Sequence, residues 1–437
     1  MAEDIVSVCR KCGADEVEVS LVSISEFSVD VRWQQIENLV EANTRYLSLK
    51  VIKEKRTAYA TSSDLTRETL HRLIKNTINR ASYAQPDEFS GLPSPAPELE
   101  IEIPALRLFD PDVPELEPER KIALAKETER IALSEKGITN THGASFETKE
   151  AQLTLANSMG FLNEYEETLC SLSLGLQAGE TDARAEGYWF STQRLFKDIE
   201  SPEEVAKKAV ARTLRLLNPR KIKTQSVPVL FEPMMSSWLL GFLCACVSGV
   251  SIYQEASFLV NKLGERIASD KINVFDDGLL PAKLGTRPYD SEGVPSQTTP
   301  VIEKGELRNF LCNTYAARKL KLKSTANADG AGVGPTNFYL QAGRDQSSGM
   351  ISTMDKGLIL MRTIGHGLNP LTGDISRGAF GLWVEGGEIC YPVSEITISG
   401  NLGEFLMKVE AVGDDLDFRT SVCGPSLLIG DVLVSGE

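Results

Sequence analysis

The chain carries few residues whose type and spacing could do chemistry together. Its three histidines, His71, His142 and His366, lie 71 and 224 residues apart, so no single helix can present two of them to one metal ion. Of eight cysteines, two pairs are closely spaced. Cys9-Arg10-Lys11-Cys12 has the CxxC spacing of redox motifs and half-zinc sites, and its internal cations would lower a thiol pKa. No second CxxC and no nearby histidine complete a tetrahedral site, so the motif reads as the close of a first helix that stops at Gly13. Cys244-Ala245-Cys246 lies in an apolar run, where free cysteine packs as a small hydrophobe. There is no GxSxG nucleophile elbow. Gly330-Ala331-Gly332-Val333-Gly334 looks like a phosphate loop, but Pro335 and a strand pattern follow where a helix N-terminus is required. Asp276-Asp277 and Asp414-Asp415-Leu416-Asp417 lack the spacing of a calcium loop and read as solvated turns.

Composition narrows the classes further. At 437 residues the chain exceeds the roughly 250 to 300 residues at which one core stops growing, so two domains are expected. With 42% hydrophobic and 24% charged residues it reads as globular, and no apolar run approaches the roughly 20 residues that cross a bilayer. Trp238 to Val250 is the nearest and reads as a buried helix. The acidic start, Met1-Ala2-Glu3-Asp4, lacks the basic and apolar regions of a secretory signal, so the expected location is the cytoplasm, with thiols reduced. A net charge of −15 argues against direct nucleic-acid binding through a broad surface. The local exception, Arg318-Lys319-Leu320-Lys321-Leu322-Lys323, reads as solvated surface.

The N-terminal half shows two rounds of strands and helices. Glu16 to Ser23 and Phe27 to Trp33 alternate, Tyr46 to Ala60 is a third strand region, and Ser63 or Asp64 offers an N-cap for a helix to about Tyr83. Gln85 to Pro114, with seven prolines, reads as an extended linker. Pro118 to Ser134 has helical spacing, with Ile122, Leu124, Ala125, Ile131 and Leu133 as its buried face. Glu147 to Asn157 and Thr168 to Gln177 are strands. Ser201-Pro202-Glu203-Glu204 starts a helix with a capping box and Pro in the first turn, ending near Leu217. From Val227 the pattern changes to short strands and glycine turns. Gln297 to Ile302, Leu307 to Asn313 and Asn337 to Gln341 are candidates, and Gly386-Gly387 suits a hairpin between Leu382–Val384 and Ile389–Val393, before Ile396–Ile398. Trp383 and Tyr391 are core or interface aromatics. The expected fold class is α+β: an N-terminal domain of antiparallel strands and helices over 1–222, then a β-rich, barrel-like or sandwich-like domain over 223–437.

Asn369 to Asn401, NPLTGDISRGAFGLWVEGGEICYPVSEITISGN, resembles the C-terminal signature of the TldD/PmbA proteins, called modulators of DNA gyrase, and in particular their PmbA (TldE) branch. Ser257-Phe258-Leu259, Leu263-Gly264-Glu265, Asp276-Asp277-Gly278, Ser324-Thr325-Ala326-Asn327 and Pro335-Thr336-Asn337-Phe338-Tyr339 fit the same family. Gly13 to Val19 is similar in type. The resemblance implies, for catalytic TldD-type subunits, a zinc peptidase site on an HExxxH helix completed by a cysteine near the C-terminus. The corresponding segment here, Ser236 to Gly249 after the strand Val227 to Phe231, holds no His, Asp or Glu. That departure implies a non-catalytic subunit with no metal, cofactor or catalytic residues of its own, paired with a TldD-like metallopeptidase that carries the zinc and acts on small or unfolded peptides. Two alternatives stay open: a homodimeric peptidase with an atypical metal or thiol site at His366 and Cys423, or a gyrase-binding regulator.

Overall fold

The computed structural model describes residues 1–94, 99–180 and 184–437, so residues 95–98 of the expected linker lie outside the described residues. Helix α1 (Ala2–Lys11) ends where Gly13 takes a φ of 92°. Six antiparallel strands follow: β1 (Glu16–Arg32), β2 (Gln35–Lys53), β3 (Arg56–Ser62), β4 (Ile138–Asn157), β5 (Leu162–Ala178) and β6 (Ala185–Gln193), in the order β3-β2-β1-β4-β5-β6. The two strand runs expected at 16–33 are one strand. β2 begins earlier than expected because Trp33-Gln34 and Glu54-Lys55 make two-residue turns with positive φ at both positions, a geometry usually signalled by Asn-Gly.

Helices α2 (Arg67–Tyr83), α3 (Pro118–Leu133) and α4 (Pro202–Leu214) join α1 on one face of this sheet. The alternation sets that face. Val17 and Val19 pack with α1 and α2, while Phe27, Val29 and Val31 pack with α3 and α4. Three helical details differ from expectation. The N-cap of α2 is Thr66, because the Asp64 carboxylate accepts from Thr66 N and Thr69 Oγ1 ahead of the helix. α3 buries Lys121, Leu124, Ala125, Thr128, Glu129 and Ala132, with Ile122 and Ile131 only partly covered. Glu129 is buried because it accepts from Trp33 N and Gln34 N and so closes the β1–β2 turn. α4 has the expected Ser201/Glu204 capping box but stops at Leu214.

The C-terminal region opens with β7 (Gln225–Phe231), α5 (Pro233–Cys246) and α6 (Gly249–Tyr253). β8 (Val274–Asp277), β9 (Thr298–Glu303) and β10 (Glu306–Leu307) lead to α7 (Thr314–Leu320), and β11 (Ala328–Asp329), β12 (Gly332–Val333) and β13 (Phe338–Leu340) follow. After α8 (Ser347–Ser352) come β14 (Lys356–Ile364), β15 (Leu368–Asn369), β16 (Asp374–Glu385) and β17 (Glu388–Asn401), then α9 (Leu402–Met407), β18 (Val409–Val412), β19 (Val422–Cys423) and β20 (Leu427–Ser435). Strands β14, β7, β20, β17 and β16 pair in turn and β16 pairs back to β14, closing a five-stranded barrel. β10-β9-β8-β13-β19 form a second, open sheet. The Gly386-Gly387 hairpin between β16 and β17 is present, with φ of 57° and 80°. Leu307 to Asn313 is not a strand, since Asn313 caps α7 through its side chain. The chain is thus α+β, with a β-rich C-terminal region. No helix among the described residues is long and apolar enough to cross a membrane.

Candidate functional site

Helix α5 is the element on which the chemistry turns. Its apolar residues Leu239, Phe242, Leu243 and Cys246 are buried in the C-terminal core, each worth roughly 1.5 to 3 kcal/mol on burial for the large side chains. The opposite stripe, Ser237, Trp238, Gly241 and Ala245, is the accessible one. No residue of α5 is His, Asp or Glu, so this face offers neither a nitrogen or carboxylate ligand nor a general base. The thiols of Cys244 and Cys246 are buried and raised by desolvation, Cys246 to about 12, as core packing requires.

Cys423 runs on β19 beside this helix: Gly424 N donates to Ser237 Oγ at 3.1 Å, and a Cβ on Gly424 would press on Ser236 and Leu240. Its thiol is 1% exposed, donates to Thr420 O at 2.9 Å and is held above the usual thiol range by burial, a poor nucleophile. His366 is exposed in the turn after β14. No hydrogen bond joins it to Cys423 among the described residues. His71 is exposed on α2, and His142 Nε2 stands 3.9 Å from Glu186. Among the described residues no three His, Cys, Asp or Glu side chains converge as metal ligands. The zinc of a catalytic subunit does not fit the donors present.

A cavity of about 490 Å³ opens at the N-terminal end of α5, between that helix, β6 and the segment 415–422. Tyr188, Trp189 and Phe190 of β6 all line it, with Met234 and Trp238 of α5. Ion pairs fix its walls. The Arg212 guanidinium grips both oxygens of Glu232, one at 2.7 Å, at the start of α5. Arg419 lies 4.0 Å over the Trp189 ring and donates to Phe190 O at 2.6 Å, to Glu200 Oε1 at 3.2 Å and to Asp417. Trp189 Nε1 donates to Glu200 Oε2 at 2.8 Å, and Arg377 lies 5.2 Å over Trp238. Sequence reasoning missed this cluster. The one available signal was the run Tyr188-Trp189-Phe190, too aromatic for a two-sided core strand.

Several motifs change character in the fold. Asp276-Asp277 is not a solvated turn. Asp276 is 1% exposed and accepts from Thr336 N, Thr336 Oγ1 and Asn327 Nδ2 at 2.7–2.9 Å, because β8 runs through the core of its sheet. In the acidic run at 414–417, Asp415 accepts from Ser426 N and Oγ, while Asp414 and Asp417 are exposed. Arg318 is not free surface either: it donates to the carbonyls of Phe89, Gly91 and Leu92, pinning the linker. Lys321, Leu322 and Lys323 are exposed. Gly330–Gly334 forms a β11–β12 hairpin with no helix after it. Trp383 is core, and Tyr391 lies half-buried under Arg220 at 4.6 Å.

Comparison with known proteins decides the family. Models of the PmbA/TldA metallopeptidase domain 1, central domain and C-terminal domain match residues 17–81, 111–217 and 224–436. The chain belongs to the PmbA/TldD family. It is 34% identical over 426 residues to Metalloprotease PmbA of Escherichia coli O157:H7, covering 97% of this chain and 93% of that one. It is 33% identical over 437 residues to a Metalloprotease PmbA homolog of Haemophilus influenzae, covering 99% and 94%. The crystal structure of a protein described as a modulator of DNA gyrase from Bacteroides thetaiotaomicron superposes with a TM-score of 0.93 at 30% identity, over 100% and 98% of the chains. TldE from Thermococcus kodakarensis shares the fold, with a TM-score of 0.88 at 22% identity over 99% of each chain. PmbA/TldD membership places the chain among metallopeptidase-related proteins.

Proposed function

We propose that this chain is the non-catalytic, PmbA-type subunit of a complex in which a TldD-like partner holds the zinc and cleaves small or unfolded peptides in the cytoplasm. One observation carries the reading: α5, which follows β7 where the resemblance puts the HExxxH helix, has Ser237, Trp238, Gly241 and Ala245 on its accessible stripe, Ser237 and Trp238 of them lining the cavity, where a catalytic subunit would need two histidines and a glutamate. Peptide hydrolysis by zinc needs three protein ligands and a base for the water, and this wall supplies none. The alternative thiol or metal site at His366 and Cys423 loses support because one group is exposed and the other is buried and bonded to Thr420.

The test mixes the purified chain with a TldD-like subunit from the same genome and measures zinc, association and peptide cleavage for each alone and together. The expected result is zinc in the partner alone, a stable complex, and cleavage enabled or enhanced by this chain. Stoichiometric zinc in this chain, with cleavage lost on chelation, would overturn the reading.

A further inference from the structure

Strand β6 is the last strand of the six-stranded sheet and, among the described residues, pairs only with β5, from Cys170↔Gln193 to Ala178↔Ala185, without a register shift. Its far edge meets the cavity at α5. Consecutive strand residues face opposite sides of a sheet, and Trp189 packs with the helices on one side while Tyr188 and Phe190 stack, 6.3 Å apart, on the other. A cavity lined by all three therefore lies against the strand edge, not against a face. The backbone agrees. Arg419 donates to Phe190 O from the side away from β5. Residues two apart on a strand direct their N–H and C=O the same way, so Tyr188, at the cavity, and Glu186, two residues beyond its lining, turn theirs outward.

The other polar groups of the cavity are already engaged. Glu232 holds Arg212, Glu200 and Asp417 hold Arg419, and Ser426 holds Asp415. No charge around this space is free to receive a charged side chain among the described residues, so an occupant matches it with apolar bulk and an extended backbone. We infer that β6 and this cavity form a peptide-binding site: an extended segment adds to the edge at Glu186–Tyr188, and one of its aromatic or large aliphatic side chains enters between Trp189, Trp238 and Met234. Arg419, occupying the next carbonyl at Phe190, ends the added strand. This site deepens the accessory-subunit reading, from which it takes the peptide as ligand, and makes this chain a holder of substrate.

The experiment titrates the full-length chain, without partner, into a short labelled peptide of threonine and serine with one central phenylalanine, read by fluorescence anisotropy. Saturable binding is expected. Replacing the phenylalanine by aspartate, or Thr420→Trp, which fills the cavity from its exposed rim, should abolish it. Tyr188→Pro deletes an outward N–H that the β5 ladder does not use, a position where an edge strand tolerates proline. It should bind about three- to tenfold more weakly than Tyr188→Ala, the loss of one backbone hydrogen bond, with both variants folded by circular dichroism. No binding, or equal binding by the aspartate peptide, would overturn the site while leaving the accessory role to stand on the mixing experiment. Binding by a chain that never associates with a TldD-like subunit would sustain the site and overturn that role.

Discussion

Glu18 faces Lys50 directly across β1 and β2, with Asn157 and Tyr59 completing the row on β4 and β3. Lys50 is 9% exposed and reaches Glu292 at 3.4 Å, while Glu18 Oε2 has no hydrogen-bond partner among the described residues. Burial pushes the Glu18 carboxyl from 4.5 up to about 7; Lys50 opposes this, and Glu292 and Asp290 add to it. Asp290 is raised to about 6, again chiefly by burial. The folded chain therefore keeps a proton on Glu18 that the unfolded chain releases, so this group's contribution is full below pH 4.5 and is lost as pH rises through about 7. Glu18→Gln should flatten the pH dependence of the urea midpoint between those values relative to the parent chain, and parallel curves would refute the assignment. Asp276 gives a second test. Asp276→Ala strands three donors in the core and should cost about 3 kcal/mol or more in denaturant unfolding. A loss below about 1 kcal/mol would mean that the site relaxes around the change.

At the scale of elements, periodicity made the helices and the long strands legible: Val17 and Val19 at one end of β1 and Phe27, Val29 and Val31 at the other share one face, although Val22 between them is buried on the opposite one. Less visible was what depends on contacts far along the chain. β6 carries Tyr188, Trp189 and Phe190 in succession, so its pattern does not alternate, and its place at the sheet edge is set by β5 and Arg419. The missing ligands of α5 could be read from composition alone. The cavity could not, because its walls come from residues 188–190, 212, 232–238 and 415–422. Arg318 shows the same limit: in sequence it belongs to a basic run, whereas in the fold its guanidinium accounts for three linker carbonyls. Arg318→Ala should therefore release Phe89–Leu92, and limited proteolysis should cut within Gln85–Ser94 several times faster than in the parent chain. Lys323→Ala, on the exposed end of that run, should leave the rate unchanged; equal rates in both variants would count against the linker tie.

The molecule as a whole depends on a seam between the N-terminal elements, namely the open face of the sheet, its β6 edge and α4, and the C-terminal region, and ion pairs cross this seam. Lys50 meets Glu292, Arg212 meets Glu232 and Arg419 meets Glu200 across it. The most enclosed tie is Arg194, just after β6, at 5% exposure: Nε donates to Lys283 O, Nη2 to Leu284 O and Thr286 O, and Nη1 to Glu167, all within 2.9–3.0 Å. The cavity at α5 is formed by the same apposition, so its shape depends on the seam staying closed. Removing one member of such a buried, fully bonded group strands its partners and typically costs about 3 to 5 kcal/mol. Arg194→Met keeps an unbranched apolar stem as far as the Nε level but removes every donor. If the seam couples the two regions, the parent chain should unfold in one calorimetric transition and the variant in two, the earlier one abolishing the response of Trp189 and Trp238 to bound peptide. A single transition merely shifted to lower temperature would instead show that the apolar contacts of Tyr165 and Phe161 with Tyr289 hold the two regions together without Arg194.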